Sequence, residues 1–318
     1  MGGEPLVSVL CITFNHAAYI QRTLDGYVSQ RTNFAYEVVV HDDASPDGTA
    51  LIVRAFEERH PGLVRGIYQT ENQFTKERGK VTRTVFAAAR GKYIAFCEGD
   101  DHWTDPLKLQ KQVDLLEADP AAVGCFTGAF NERDGERTAF FGSGYARVPD
   151  ARVSQRDIVM GQGIPTCTLL FRAQALYPLP SELSTSPVGD SILFTHLARA
   201  GDMIYLPEVT AVRTMHAGGA HSLKDKLHRV RVQEQVLPML DRMTQGRYHG
   251  EINSRLTNMY RTTWDLAMRN KDLRLARHLW PSLARRRKSM GWGIPTTVRN
   301  WIKAWVPAID RAIATVRG

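Results

Sequence analysis

Apolar residues along this chain alternate between two patterns. Continuous apolar runs at Leu6 to Phe14, Tyr36 to His41, Val64 to Gln69 and Tyr93 to Cys97 read as strands buried on both faces of a parallel sheet. Between them the apolar residues fall three or four apart. This predicts helices from about Ala17 to Gln30, with Ile20, Leu24 and Val28 on one face, from Thr49 to His60, and from Lys76 to Arg90. Strands alternating with helices through short loops predict an α/β fold, an open and mostly parallel sheet with helices on both faces. Asp105-Pro106 reads as an N-cap followed by proline, opening a helix to about Glu117 with Leu107, Leu109, Val113, Leu115 and Leu116 as its apolar set. Ala122 to Phe130 reads as a strand. Asn131 to Val153 is polar and predicts no clear element, and Gly161 to Phe171 reads as a turn and then a strand. A helix is expected from Asp190 to about Ala200, with Ile192, Leu193, Phe194 and Leu197 facing inward. Two short strands, Met203 to Leu206 and Glu208 to Val212, are expected after it.

From Lys226 onward only helical periodicity remains. Leu227, Val230, Leu237 and Leu240 form one stripe, Ile252, Leu256, Met259, Tyr260 and Trp264 a second, and Asp272 to Leu283 a third short helix. The expected organisation is a catalytic domain over 1–225, a helical bundle over 226–290, and a last segment over 291–318. In that segment Val298, Trp301, Ile302, Trp305, Val306, Ile309, Ile313 and Val316 share one face.

The polar groups at the strand ends suggest chemistry. Tyr93 to Cys97 runs straight into Glu98-Gly99-Asp100-Asp101, and acids this close repel one another unless a cation or donors sit among them. Asp105 already serves as the cap of the next helix, so the acidic pair is not needed there. A second acidic cluster, Asp42-Asp43, ends the second strand, and Asn15 ends the first. In an open parallel sheet ligands bind beyond the carboxyl ends of the strands. The residues therefore point to a site for a divalent metal, Mg²⁺ or Mn²⁺, and a nucleoside diphosphate.

Four stretches, VSVLCITFNHAAYI, VVVHDDASPDGT, GKYIAFCEGDDHWTDPLKLQKQV and VGDSILFTHLARAGDMIYLPEV followed by His216, arrive in an order and spacing that resemble the family 2 inverting glycosyltransferases of the GT-A fold. The likeness covers roughly residues 5 to 222. It implies that Asp43, with Asp42 beside it, contacts the nucleobase and that Asp100 faces the ribose. It further implies that Asp101 and His216 ligate the metal bridging the diphosphate, and that Asp190 is the general base. Two departures stand out. His102 precedes Trp103 where many relatives carry aromatics, and is either a spare ligand or simply exposed. Arg213 lies one place earlier than the family's arginine, which puts in doubt its reach to the diphosphate. Thr166 and Thr168 could line the sugar pocket or pack in the core.

Composition narrows the reading further. The 318 residues, 43% hydrophobic and 23% charged, suit a globular protein, with no apolar run of membrane-spanning length and no signal-peptide pattern at the start. A cytoplasmic location is expected. The four cysteines show no metal-ligand spacing and read as reduced core thiols. The net charge of +8 is concentrated in Arg285 to Gly318, with eight basic residues and one acid, and this tail reads as an interfacial helix for an anionic membrane. Docking of its apolar face on protein or on a second subunit is the alternative. Membrane contact would place the enzyme at the inner face of the plasma membrane. It suits a saccharide or lipid-linked acceptor in surface polysaccharide or glycolipid synthesis, with a UDP-sugar as the favoured donor. A nucleic-acid partner is not expected, because the charge sits in one amphipathic tail. A sugar nucleotidyltransferase and a non-catalytic scaffold remain rivals. The first usually carries a Gly-rich basic loop after the first strand, where this chain has Phe14-Asn15-His16.

Overall fold

The computed structural model describes residues 4–140, 151–219 and 225–286. In chain order the elements are β1 (Val7–Thr13), α1 (Ile20–Val28), β2 (Tyr36–Asp42), α2 (Thr49–Arg59), β3 (Val64–Tyr68), α3 (Gln73–Lys76), α4 (Lys80–Ala87) and β4 (Tyr93–Phe96). They continue with β5 (His102–Trp103), α5 (Lys108–Ala118), β6 (Gly124–Arg133), β7 (Glu136–Ala139), β8 (Arg152–Val153), α6 (Gln155–Met160), β9 (Leu170–Arg172), α7 (Gly189–Leu197) and β10 (Met203–Thr214). Helices α8 (Lys226–Met243), α9 (His249–Arg269) and α10 (Leu273–Arg286) follow.

One sheet holds the strands in the order β3-β2-β1-β4-β9-β6-β10-β5, with β7 beside β6 and β8 beside β10. The longer ladders, β1 with β2, β2 with β3, and β6 with β10, are parallel, while β9 runs antiparallel to both β4 and β6. The strands β1, β2 and β4 are buried on both faces, which is why they read as near-continuous apolar runs. Successive side chains point to opposite faces. Val9 and Cys11 accordingly join one core cluster, with α1, α2 and α5 residues such as Leu24, Phe56 and Leu109. Leu10 joins the other, with Phe86 of α4, Ile158 of α6 and Leu193 of α7. All four cysteines are buried and free.

Several elements differ from the sequence expectation, each for a local reason. The helix expected from Lys76 to Arg90 is two helices. Gly79 breaks it at φ +73, where a Cβ would meet the Leu183 carbonyl oxygen at 2.7 Å. Helix α5 turns a different face inward: Leu107 is 43% exposed, whereas Lys108 is 0% exposed beside Leu109 and Gln112. The Asp105 carboxylate accepts from the Leu107 N–H at 2.8 Å and shapes the turn before that helix. The two short strands are one strand, β10, whose pairing with β6 is irregular between Leu206 and Ala211, around Pro207. Pro207 has no N–H to give a ladder. The segment after Asn131 yields a hairpin: Asp134 and Gly135 both take positive φ and Arg133 pairs with Glu136, the two-residue turn that Asp-Gly favours.

The chain divides into two compact units, Met1–Leu256 and Thr257–Gly318. The first runs beyond the boundary expected at 225, because α8 packs on α7 and buries Val230, Val236, Leu237 and Leu240. In the second, the Asp272 carboxylate accepts from the Leu275 N–H at 3.0 Å at the start of α10, and the rings of Trp264 and Trp280 lie 6.3 Å apart. Among the described residues no helix is long and apolar enough to cross a membrane. The basic amphipathic helix expected over 291–318 lies outside the described residues.

Candidate active site

The loop after β1 is held by side chains from the loop after β2. Asn15, at φ +57, turns the chain, and three successive backbone N–H groups then find partners across the gap. Asn15 N–H donates to Ser45 Oγ at 2.9 Å, His16 N–H to Thr49 Oγ1 at 2.9 Å, and Ala17 N–H to Asp47 Oδ2 at 3.0 Å. Burial raises the Asp47 carboxyl, but hydrogen bonds from Thr49 and Ala17 outweigh it and hold the group below its usual range.

The two acids at the end of β2 are used differently. Both carboxylate oxygens of Asp43 accept backbone N–H groups, from Gln73 at 2.8 Å and Phe74 at 3.0 Å, so this residue docks the start of α3. Asp42, beside it, keeps one carboxylate oxygen unengaged. There Oδ2 accepts from Ser45 N–H at 3.2 Å while Oδ1 is buried with no partner in the protein.

Beyond β4 the chain makes a tight acidic turn. Thr23 Oγ1 of α1 bridges the carbonyls of Gly99 at 3.0 Å and Asp101 at 2.6 Å. Gly99 is required here, since a Cβ would meet Thr13 Oγ1 at 2.6 Å and His16 Nδ1 at 3.1 Å. Asp101 is 6% exposed, and its Oδ1 accepts from Thr214 N–H at 2.9 Å at the end of β10. Burial, then the charge of Asp100, pushes its carboxyl up to about 8, against the pull of Thr214 N–H and the Arg213 charge. Glu98 is raised well above its ordinary value, by burial first and then by the charges of Asp190, Asp101 and Asp100. The exposed Asp190, in the first turn of α7, thus lies close enough for its charge to act on the acidic turn.

Asp100 is the acid that faces the histidines. Its Oδ2 lies 3.0 Å from His216 Nε2 and 3.8 Å from His16 Nε2. One ligand atom from each of these three residues falls within 4.8 Å of the others. Tyr19 lies against His216 with ring centroids 4.6 Å apart. Burial lowers the His16 pKa despite Asp100, leaving a neutral ring that can offer a lone pair. These donors suit a divalent cation. Asp101 Oδ1 is thus engaged by Thr214 N–H, and Asp100 carries the oxygen beside His216. Arg213 stands in β10 with its guanidinium 5.5 Å from the Phe140 ring, and its charge reaches Asp101.

His102 is buried, not exposed. It pairs with Val212 in β5, is 5% exposed, and burial lowers its pKa to about 4. Thr168 belongs to the core, its hydroxyl donating to the Thr127 and Pro165 carbonyls. Sequence reasoning missed His16, Tyr19 and Glu98. The Asn15-His16 step just beyond a buried strand was the available signal for the first.

A sheet that gathers acids and histidines at the carboxyl ends of β1, β2, β4 and β10 belongs to the class of open α/β proteins whose ligand sites lie beyond the carboxyl ends of the strands. Within that class, the chain belongs to glycosyl transferase family 2, whose pattern matches residues 8–174. An uncharacterized protein of Mycobacterium tuberculosis is 36% identical over 216 residues, covering 67% of this chain and 60% of that protein. The chain thus spans about three fifths of the length of that curated relative. Its fold is similar to Staphylococcus aureus TarS in complex with UDP-GlcNAc, with TM-score 0.57 and 20% identity, over 73% of this chain and 65% of that one. It is also similar to the mannosyltransferase PcManGT of Pyrobaculum calidifontis in complex with GDP-Man and Mn²⁺. There the TM-score is 0.58 at 21% identity, over 99% of this chain and 88% of that one.

Proposed function

We propose that this protein is an inverting, metal-dependent glycosyltransferase. It moves a sugar from a nucleoside diphosphate sugar, a UDP-sugar first, to a hydroxyl of a lipid-linked saccharide in surface polysaccharide or glycolipid synthesis. The observation that carries this reading is the convergence of Asp42, Asp100, Asp101, Asp190 and His216, from four separate segments, at one edge of the sheet. UDP-GlcNAc and GDP-Man in the two structural neighbours support a nucleotide-sugar donor.

Each residue has work that its surroundings suit. The unpartnered Asp42 Oδ1 accepts an N–H from the base edge, since a buried acceptor left bare costs roughly 1–3 kcal/mol. A divalent cation on Asp100 and His216 would neutralise the charge that grows on the departing diphosphate. Asp101 ties the end of β10 to the acidic turn through Thr214 N–H and so sets where His216 stands. Asp190, exposed and therefore able to meet an acceptor, takes the proton from the attacking hydroxyl, and inversion follows from attack opposite the diphosphate. The concentrated basic charge of the last 34 residues supports a peripheral position on an anionic membrane at the cytoplasmic face.

The test is a transfer assay of the full chain with UDP-, GDP- and dTDP-sugars and lipid-linked saccharide acceptors, with and without Mn²⁺. Product formation from one donor, with inverted anomeric configuration, is expected. Nucleotide binding with no transfer from any donor would favour a non-catalytic scaffold.

A further inference from the structure

We infer that His16, Asp100 and His216 form a nitrogen-rich centre that takes up a transition-metal ion before the nucleotide arrives and discriminates against Mg²⁺. The inference rests on the metal-dependent reading above and adds to it the third protein ligand, the order of loading and the choice of ion.

Three observations carry it. The first is the ligand set: two imidazole nitrogens face one carboxylate oxygen, at 3.0 and 3.8 Å, with all three donor atoms within 4.8 Å of one another. Mg²⁺ takes oxygen ligands and keeps most of its water, whereas imidazole suits Mn²⁺ less well than Co²⁺ or Zn²⁺ but better than it suits Mg²⁺. The second is the state of His16. Its Nδ1 is buried and unpartnered, and its Nε2 lies too far from Asp100 for a hydrogen bond, so neither nitrogen has a hydrogen-bond partner among the described residues. The third is rigidity. The backbone N–H groups of Asn15, His16 and Ala17 are each gripped by a side chain of the next loop, and Gly99 leaves the space into which the His16 ring fits. His216 is braced from the other side by the Tyr19 ring. A set positioned this way needs no diphosphate oxygen to assemble it.

The test uses the metal-stripped full-length protein and no nucleotide. Mn²⁺ is titrated and followed by electron paramagnetic resonance, and electron spin-echo modulation counts the nitrogen ligands. We expect one Mn²⁺ per chain, modulation from two imidazoles, and retention of Mn²⁺ in about a hundredfold excess of Mg²⁺. His16→Ala and His16→Gln, checked for folding by circular dichroism, should each weaken Mn²⁺ binding by at least about 10- to 100-fold and leave one imidazole in the spectrum. Displacement of Mn²⁺ by an equal concentration of Mg²⁺, or one imidazole in the unsubstituted protein, overturns the inference. So does unchanged affinity in both folded variants. The nitrogen count needs no substitution, so a variant that misfolds does not block the result. Transfer is assayed separately. A loaded two-imidazole centre without transfer from any donor would leave this inference standing and remove the glycosyltransferase reading. Transfer supported equally well by Mg²⁺ and by Mn²⁺ in the unsubstituted protein would do the reverse.

Discussion

Asp190 stands exposed in the first turn of α7, while Asp101 is nearly sealed beneath the Thr214 N–H, and this difference in surroundings separates a group that can trade protons from one that holds the structure. Asp190→Asn should lower kcat by about 10²- to 10⁴-fold, the usual worth of a positioned general base, and leave donor affinity within about twofold. Steady-state kinetics set beside calorimetric titration of the donor nucleotide checks both halves; weaker donor binding in step with lost turnover would remove Asp190 from the base role. The sequence nominated Asp100, Asp190 and His216 because each sits inside a stretch with family spacing, and the structure sets Asp100 beside His216. Which of the adjacent acids meets Thr214 N–H and which faces His216 was not legible. Adjacent acids on a turn point in different directions, and only the closure of β10 onto the turn decides which one is covered. His16 was hidden for a similar reason, since a histidine after a strand reads the same whether it faces water or a second histidine 200 residues further along.

At the scale of elements, α5 shows why periodicity alone misplaces a face. Its sequence contains enough leucines for more than one apolar stripe, and the structure turns Lys108 inward, with Nζ donating to Gln112 Oε1 at 2.6 Å and lying 4.2 Å from the Trp103 ring. Burial lowers the Lys108 pKa to about 8. Between pH 8 and roughly 10.4 the unfolded chain therefore binds more protons at this site than the folded one, and its contribution to stability rises with pH by up to about 1 kcal/mol per unit. Urea melts at pH 7.5 to 9.5 should show that rise in the native protein relative to Lys108→Met; parallel curves would contradict it. The acidic turn is just as closely fitted. Gly99→Ala should cost about 1–3 kcal/mol of stability by overpacking against Thr13 and weaken Mn²⁺ binding by displacing His16. Thermal melts and metal titration of the same preparation test this, and a variant matching the native protein in both would show that the turn yields freely.

For the whole molecule, the alternation of strand and helix was readable because both faces of the sheet are covered at β1, β2 and β4, so those strands are largely apolar and the helices between them amphipathic. The reversal at β9 and the extension of the first unit to Leu256 were not readable, since they depend on which elements meet. The charge distribution makes its own prediction. Full-length protein should co-sediment with vesicles containing anionic lipid at low salt and come off at about 0.5 M salt, where exposed charges are screened within a few ångströms. Binding that ignores salt, or no binding, would set aside the electrostatic anchor. Finally, the three grips on the loop after β1 bear on how this protein can be engineered or recombined with its relatives. Transplanting residues 14–17 alone into another family member would leave three amide hydrogens bare wherever the host lacks counterparts of Ser45, Asp47 and Thr49. The two loops form a single exchangeable cassette, although some thirty residues of chain separate them.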